Sequence, residues 1–165
     1  MLIDSQLVSA QRRKRLYWTN IPVSGLPEDK GILVKDVICD DSSLIKEFDD
    51  RMRNTLIKCE NYIKYDLGGK GHYSQQDRLY YLDNKAPTVP RCRTEFNVWL
   101  GGELYKKTCP LEIERLQTLP DDYTRYGKEE DGTIVEVPKT RRFEAIGNGW
   151  TVDIISWILG GIKNA

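Results

Sequence analysis

A run of cations stands directly before an apolar segment in the first twenty residues. Gln11 precedes the four cations Arg12, Arg13, Lys14 and Arg15, and the strand-like sequence Leu-Tyr-Trp-Thr-Asn follows them. Side chains two positions apart on a strand point to the same side, so Arg13 and Arg15 are expected to project together. A guanidinium binds a phosphate or a base edge with a planar fork of fixed direction. The pattern predicts two rigidly aimed anion- or base-binding groups, with a plain solvated charge run as the alternative.

A glycine-flanked turn forms the second candidate site. Gly147, Asn148, Gly149 and Trp150 stand before an apolar segment that predicts the last helix, which is expected to begin near Asn148. Glycine lets the backbone approach a ligand closely, and a helix N-terminus favours an anion such as a carboxylate. The turn therefore predicts a ligand-binding helix start. A capped C-terminal helix with Trp150 in the core is the alternative, and the two interpretations are compatible.

A third segment, residues 110–123, reads Pro-Leu-Glu-Ile-Glu-Arg-Leu-Gln-Thr-Leu-Pro-Asp-Asp-Tyr. Pro110 suits the first turn of a helix, and the apolar spacing predicts an amphipathic helix that Pro120 ends. Arg115 is expected to pair with Glu112 or Asp121. We interpret this segment as structural and do not expect it to contact a substrate.

Taken in this order, the three segments resemble the last three sequence blocks of DNA cytosine-5 methyltransferases, most closely the bacterial and phage members. The matching patterns are Q-x-R-x-R before a strand, P-x-E-x-x-R-L-Q-x-x-P-D-x-Y, and G-N-x-x-x-V before a final helix. The resemblance implies that Arg15 contacts O2 of an extruded cytosine, that Arg13 holds a backbone phosphate, and that Gln11 belongs to the same DNA-binding motif. It implies that Asn148, Gly149 and Trp150 help to hold S-adenosylmethionine.

In such enzymes a variable target-recognition region separates the first two blocks, and here that gap covers about residues 27–107. Arg78, Tyr80, Thr88, Arg91 and Arg93 resemble base-reading or phosphate-binding residues of its two loops, with Thr88-Val89 where the family often shows Thr-Leu. Arginine could reach guanine in the major groove. Each of these residues could equally be an ordinary surface residue.

Several parts that the reaction needs do not occur in this sequence. It has no Pro-Cys nucleophile, no Glu-Asn-Val that would hold the base, and no F-x-G-x-G cofactor loop. The resemblance implies that these lie upstream of Met1, so that the chain is inactive alone. It would then need the N-terminal half of the enzyme, or would self-associate through exposed apolar surface. Two alternatives are a stand-alone DNA-binding module or inactive remnant of such an enzyme, and an unrelated structural α+β protein.

The elements that must position these residues indicate an α+β protein with partial α/β character. Strands are predicted at 1–4 and 15–20, a possible strand or helix lead-in at 31–37, and a long helix from Ser43 to Ile63. A helix at 108–120 and a hairpin at Asp131-Gly132 follow. By the resemblance, residues 1–26 and 108–165 form part of an incomplete Rossmann-like methyltransferase lobe, and residues 27–107 form a small, mostly β recognition domain.

Composition neither requires nor excludes a nucleic-acid partner. Lys+Arg and Asp+Glu both number 25, but residues 51–107 hold eleven cations and six anions, which permits a basic cleft. The four cysteines show no C-x-x-C spacing and His72 is the one histidine, so no metal site is expected. The absence of a leader or of a long apolar run favours a cytoplasmic protein without a membrane partner.

Overall fold

The structure is a computed structural model that describes residues 1–65, 75–91 and 95–164. Its strands are β1 (Leu2–Asp4), β2 (Lys14–Leu16), β3 (Ile45–Glu47), β4 (Ile57–Lys58), β5 (Tyr62–Lys64), β6 (Arg78–Tyr81), β7 (Asn97–Gly101), β8 (Leu104–Lys107), β9 (Tyr126–Lys128) and β10 (Ile134–Glu136). Its α-helices are α1 (Asp50–Thr55), α2 (Pro110–Leu116), α3 (Lys139–Asn148) and α4 (Val152–Gly160). Short 3-10 helices lie at Ser5–Leu7, Val34–Asp36, Ser42–Leu44, Gln75–Asp77 and Gly161–Asn164.

A six-stranded sheet forms the centre of the molecule, in the order β3-β8-β7-β6-β5-β4. The pairing of β6 with β7 is parallel and the other pairs are antiparallel. Because side chains alternate across a strand, Leu79 and Tyr80 of β6 enter two different apolar clusters. This mixed sheet with few helices confirms the predicted α+β class.

The larger apolar cluster joins the two segments that were predicted as separate lobes. It contains Val89 and Val98 from the 27–107 segment together with Ala10, Ile113 and Ile146 from the flanking segments. The loops after β6 and the helices α2 and α3 therefore share one core, which fixes the 27–107 segment against the rest of the chain.

A separate two-stranded ribbon carries the cation run. β1 pairs with β2 antiparallel, with Ile3 opposite Arg15, and Ile3 packs against Ile154 and Ile158 of α4 in a small third cluster. The ribbon leaves Leu16 and Trp18 exposed, the latter at 90%. The ribbon thus packs against α4 through Ile3, while Leu16 and Trp18 remain exposed.

The long helix predicted from Ser43 to Ile63 is wrong. That stretch forms β3, the six-residue α1, β4 and β5 in turn. The Asp49 carboxylate caps α1 by accepting the Met52 amide hydrogen at 2.7 Å, and Leu56 returns to extended backbone. Met52 and Ile63 still reach one apolar cluster, but from a helix and a strand. The helical spacing therefore arose from residues that converge in space without sharing an element.

Some of the other predicted elements are confirmed by the structure and others are not. α2 begins at Pro110 as expected, and Gly132, with φ of +92°, completes the predicted hairpin turn between β9 and β10. The 31–37 segment contains only a 3-10 helix, and β2 is shorter than predicted. α3 was not predicted. Within the described ranges, no helix has the length and apolar character needed to cross a membrane.

Candidate nucleic-acid and cofactor site

Arg13 joins the cation motif to the Gly-Asn-Gly-Trp turn and to the loop at Val89. Its guanidinium is 6% exposed and donates to the carbonyl oxygens of Val89 at 2.7 Å, Gly149 at 3.0 Å and Gly147 at 3.4 Å. Burial lowers the pKa of Arg13, and the neighbouring positive charge of Arg15 lowers it further. A group so committed to backbone carbonyls does not reach a DNA phosphate, so the predicted phosphate contact of Arg13 is corrected to a positioning role.

Arg15 differs from Arg13 although both lie on one side of the ribbon. Its side chain is exposed, and its Nη1 donates to the Lys14 carbonyl oxygen at 2.8 Å. Arg13 and Arg15 both line a cavity of about 540 Å³. Because only Arg15 of the two leaves its guanidinium accessible, it is the group that can bind a ligand entering this cavity.

The turn after α3 lines the same cavity through Asn148 and Trp150. Asn148 is exposed and Trp150 is 65% exposed, so Trp150 is not a core residue. The apolar part of the wall comes from the ribbon and α4, namely Leu16, Tyr17, Trp18, Ile21, Ile155, Ile158 and Leu159. The cation motif and the Gly-Asn-Gly-Trp turn, far apart in sequence, are therefore two walls of one cavity.

The predicted helix start at Asn148 is wrong. Asn148 is the last residue of α3, and α4 begins four residues later at Val152. The amides of Val152 and Asp153 already donate to the Gln117 carbonyl oxygen at 2.9 Å and to Thr118 Oγ1 at 2.9 Å. These first-turn groups are used within the chain, so the predicted anion site at the helix start is corrected: a ligand at this turn would contact Asn148 and Trp150 side chains instead.

The glycines of this turn serve packing within the chain. A Cβ on Gly147 would lie 2.2 Å from the Pro90 carbonyl oxygen, which no real side chain tolerates. Gly149 accepts the Arg13 hydrogen bond through its carbonyl oxygen. The close backbone approach expected for a ligand is thus made by the loop at Pro90, which belongs to the predicted recognition segment.

A buried polar network lies under the cavity. Gln11 is fully buried and donates to the Leu116 carbonyl oxygen at 3.0 Å and to Gln117 Oε1 at 3.2 Å, while its Oε1 accepts the Val89 amide hydrogen at 2.9 Å. Gln117 Nε2 donates to the Ile146 carbonyl oxygen at 3.0 Å, and Thr151 donates to Gln117 Oε1 at 3.0 Å. Gln11 therefore cannot contact DNA, and its predicted binding role is corrected to a structural one.

The α2 segment supports the network as predicted. Arg115 binds Asp121 with two hydrogen bonds of 2.8 and 2.6 Å, and this pairing lowers the pKa of Asp121. Glu114 is fully buried and accepts hydrogen bonds from the Asp122 amide at 2.9 Å and from Arg142 at 3.0 Å. The segment thereby holds the chain that follows it and α3 in place.

Of the predicted recognition residues, Tyr80 is the one that the structure buries. It is 4% exposed, its ring meets Tyr62 and Phe96, and burial raises the pKa of its hydroxyl. Tyr80 is therefore a core residue, and its predicted DNA contact is corrected. The Tyr80 hydroxyl oxygen and Arg78 Nε are both buried without a hydrogen-bond partner.

Arg78 and Arg12 meet at the start of β5. The Arg78 guanidinium lies 4.6 Å from the centre of the Tyr62 ring, and Arg12 Nη2 donates to Asn61 Oδ1 at 2.8 Å. Thr88 adds to this face, because its hydroxyl donates to the Arg12 carbonyl oxygen at 2.6 Å. We call the exposed or half-exposed residues Arg12, Asn61, Tyr62, Arg78 and Thr88 the basic face. Arg91 is also exposed, and its backbone lies against Gly147 of α3. Arg93 lies outside the described residues.

Sequence reasoning missed several residues of this arrangement. Arg12 had no role of its own, although its place in the cation run was a signal. Gln117 is the hub of the buried network, and only its polar character on an otherwise apolar helix side pointed to it. A thiol pair was also missed: Cys39, Cys109 and Glu112 place three potential metal-ligand atoms within 4.8 Å of one another.

Neither a protein-family model nor a curated protein matches this chain. Its function therefore has to be argued from its motifs and their geometry.

Proposed function

We propose that this chain is the DNA-binding, target-recognition and cofactor-site-completing part of a DNA cytosine-5 methyltransferase. One observation carries the proposal: the Arg13 guanidinium binds Val89 of the recognition segment and Gly149 of the Gly-Asn-Gly-Trp turn. The first and last of the three family-like blocks and the segment between them thus meet around one side chain, and Gln11 of the same cation motif binds the remaining block at Leu116 and Gln117. A chance match of three short patterns gives no reason for such convergence.

Within this proposal Arg13 and Arg15 of the cation motif have different roles. Arg13 holds the ribbon, the recognition loop and the turn in register. Arg15, exposed at the cavity, is the group proposed to contact the extruded cytosine. A base must leave the stack before an enzyme can act on its ring, and a cavity beside a rigid guanidinium suits such a base.

The basic face is proposed to bind duplex DNA next to this cavity. Arg12 contacts Asn61 and Arg78 contacts Tyr62, so both charges are held by neighbouring residues at the start of β5. Cations held in this way supply the salt-dependent part of DNA affinity, and Thr88 and Arg91 are candidates for base contacts. The zero net charge of the whole chain is compatible with one localised basic face.

S-adenosylmethionine is the proposed cofactor and would supply the methyl group for C5 of cytosine. Asn148 offers an amide and Trp150 an exposed ring, which fit a polar, partly apolar ligand in the cavity. The chain contains no Pro-Cys, Glu-Asn-Val or F-x-G-x-G sequence. We therefore propose that it is inactive alone and that the N-terminal half of such an enzyme completes an incomplete Rossmann-like lobe.

Exposed apolar residues of the ribbon and of α4 support a complementary half as partner. Leu2, Leu16 and Trp18 are 58%, 66% and 90% exposed, and Leu159 and Ile162 of the C-terminal segment are 49% and 57% exposed. Surface of this kind marks an interaction site. Gel filtration tests this proposal: a clean monomer without binding of a hydrophobic dye would count against any partner at this surface.

The deciding experiment is complementation. The chain is co-expressed with a separately encoded N-terminal half of a family member, and plasmid DNA is sequenced after bisulfite treatment. Methylated cytosine that depends on both halves, is lost with Arg15→Ala and is kept with Arg53→Ala supports the proposal. Arg53 is a matched control because its guanidinium pairs with Glu103 and Asp50, away from the motif.

A DNA-binding module or inactive remnant is the second candidate, and the missing nucleophile sequence favours it. Duplex binding at low salt without methylation in any complemented pair would support this second candidate. The absence of binding at low salt would overturn both.

A further inference from the structure

Two cysteine sulfur atoms lie close together at the boundary between the 27–107 segment and α2. Cys39 Sγ is 3.8 Å from Cys109 Sγ, and both residues are partly exposed. Cys39 lies in the loop after the Val34–Asp36 helix, and Cys109 precedes the first residue of α2. They stand 70 positions apart in sequence, so the fold, and not local chain geometry, brings them together.

A buried ion pair borders the two thiols. Lys106 is only 2% exposed and Glu112 is fully buried. Lys106 Nζ lies 2.6 Å from Glu112 Oε1. Lys106 Nζ also lies 3.3 Å from Cys39 Sγ, and the amides of Cys39 and Cys109 each donate to Glu112 at 2.9 Å. Because the ammonium already balances the Glu112 charge, the cluster is better matched to thiol chemistry than to a divalent cation.

The surroundings give the two sulfurs different reactivity. Cys39 Sγ lies 3.3 Å from Lys106 Nζ and 3.3 Å from Glu112 Oε1, so it contacts both members of the ion pair. Burial raises the pKa of the Cys109 thiol to about 11. Because burial disfavours the Cys109 thiolate, the first attack is assigned to Cys39, and Cys109 lies 3.8 Å away, where it can react with an oxidised Cys39.

We propose that Cys39 and Cys109 form a reversible oxidation site at which a peroxide converts the two thiols into a disulfide. The Cys39 thiolate attacks one peroxide oxygen, the O–O bond breaks, and a sulfenic acid and a hydroxide result, the hydroxide leaving as water with the proton that Cys39 had released. The Cys109 sulfur then attacks the Cys39 sulfur, the S–O bond breaks, and the departing hydroxide takes the Cys109 proton as water. Two thiols lose two electrons, and one peroxide is reduced to two waters.

The step requires only a small movement of the chain. A disulfide needs about 2.05 Å between the sulfurs, so they must approach by about 1.8 Å from their distance of 3.8 Å. The product would tie the loop at Cys39 to the start of α2 and close a long loop. Such a cross-link constrains the unfolded chain, and we expect the Tm to rise on the order of 5–10 °C.

The test treats the full chain with hydrogen peroxide, counts free thiols with a maleimide, and maps peptides by non-reducing mass spectrometry. The expected result is the loss of two thiols per chain and a Cys39–Cys109 peptide pair that lacks two hydrogen atoms. A dithiol reductant should restore both thiols and the original Tm.

Cysteine variants and the identity of the oxidation product test the proposed disulfide. Cys59→Ser should keep the product, whereas Cys39→Ser and Cys109→Ser should each abolish it while circular dichroism shows an intact fold. Three products would overturn the proposal: a Cys39–Lys106 link that carries one added oxygen, a disulfide to Cys59 or Cys92, or a disulfide between two chains. Full retention of all thiols under conditions that oxidise a free cysteine peptide would also overturn it.

Discussion

Arg13 and Gly149 stand 136 positions apart in sequence, and Arg13 Nη2 donates to the Gly149 carbonyl oxygen at 3.0 Å. The same guanidinium donates to the Val89 carbonyl oxygen at 2.7 Å. One side chain therefore joins the β1–β2 ribbon, the loop at Val89 and the turn before α4. Arg15, two residues along, makes no comparable contact among the described residues, since its Nη1 donates to the carbonyl oxygen of its own neighbour Lys14.

This contrast gives the first prediction, in which Arg13→Ala and Arg15→Ala separate stability from binding. Arg13→Ala leaves three buried or partly buried carbonyl oxygens without their donor, and we expect a loss of about 3 kcal/mol in the free energy of unfolding. Arg15→Ala removes an exposed side chain and should cost less than about 0.5 kcal/mol. Urea unfolding measures both. Equal costs for the two variants would contradict the positioning role of Arg13.

The second prediction concerns the contact between Gly147 and Pro90. A Cβ at Gly147 would lie 2.2 Å from the Pro90 carbonyl oxygen, so Gly147→Ala must push the recognition loop away from α3. We expect a destabilisation of about 2–3 kcal/mol. Gly160→Ala is the matched control, because a Cβ there meets nothing within 4 Å and alanine favours a helix by about 0.5 kcal/mol. Thermal unfolding should move the two variants in opposite directions.

The third prediction concerns the buried pair of Lys106 and Glu112. Lys106→Met leaves a fully buried carboxylate without its ammonium, and breaking such a pair costs about 3–5 kcal/mol. Glu112→Gln removes the charge and keeps an acceptor for only one of the Cys39 and Cys109 amides, because these donate to different carboxylate oxygens. The double variant should therefore be more stable than the sum of the two single losses predicts. A double-mutant cycle by urea unfolding measures this coupling, and strict additivity would contradict it.

The fourth prediction tests the basic face through the salt dependence of duplex binding. Arg12→Ala should weaken binding at low salt and reduce the slope of log K against log salt by about one, because its guanidinium is held at the face by Asn61. Arg53→Ala removes the same charge from an acid-paired site and should leave the slope unchanged. Fluorescence anisotropy with a labelled duplex at several salt concentrations makes the comparison. Equal slopes in the wild type and in Arg12→Ala would remove Arg12 from the interface.

Local signals account for the elements that the sequence predicted well. Pro110 at a helix start and Asp131-Gly132 in a turn act through their own backbone preferences, so α2 and the hairpin of β9 and β10 follow from a few neighbouring residues. The segment from 43 to 63 has no such signal. Its apolar spacing fits a helix, but β3 and β5 obtain their strand geometry from β8 and β6, which lie far along the chain.

In the site, too, the sequence predicted which residue types are present but not which distant residues they contact. The sequence indicated which arginines stand in the cation motif, but not that Val89 and Gly149 would surround Arg13 with carbonyl oxygens. The burial of Gln11 likewise depends on Gln117 and Leu116, more than a hundred residues away. Tyr80 was predicted to contact DNA because its segment resembles a base-reading loop of the family, whereas the packing of its ring against Tyr62 and Phe96 places it in the core.

The fifth prediction concerns pH and Glu95, which joins β8 to the start of α3. Burial acts to raise the pKa of Glu95, but hydrogen bonds from Lys107 at 2.9 Å and Lys139 at 3.0 Å outweigh it and lower the pKa below its ordinary value of 4.5. A carboxyl with a lowered folded-state pKa contributes stability above its ordinary pKa, and that contribution is lost as the pH falls through the folded value.

Glu95→Gln should therefore cost about 1 kcal/mol at pH 7, and the difference from the wild type should shrink as the pH falls below 4.5. Urea unfolding at a series of pH values measures the difference. Lys58→Gln offers a control with a change of charge at an exposed position of β4, where no loss of stability on this pH scale is expected. A Glu95→Gln difference that stays constant from pH 7 to pH 3 would show that the carboxylate charge makes no contribution and that only side-chain packing was changed.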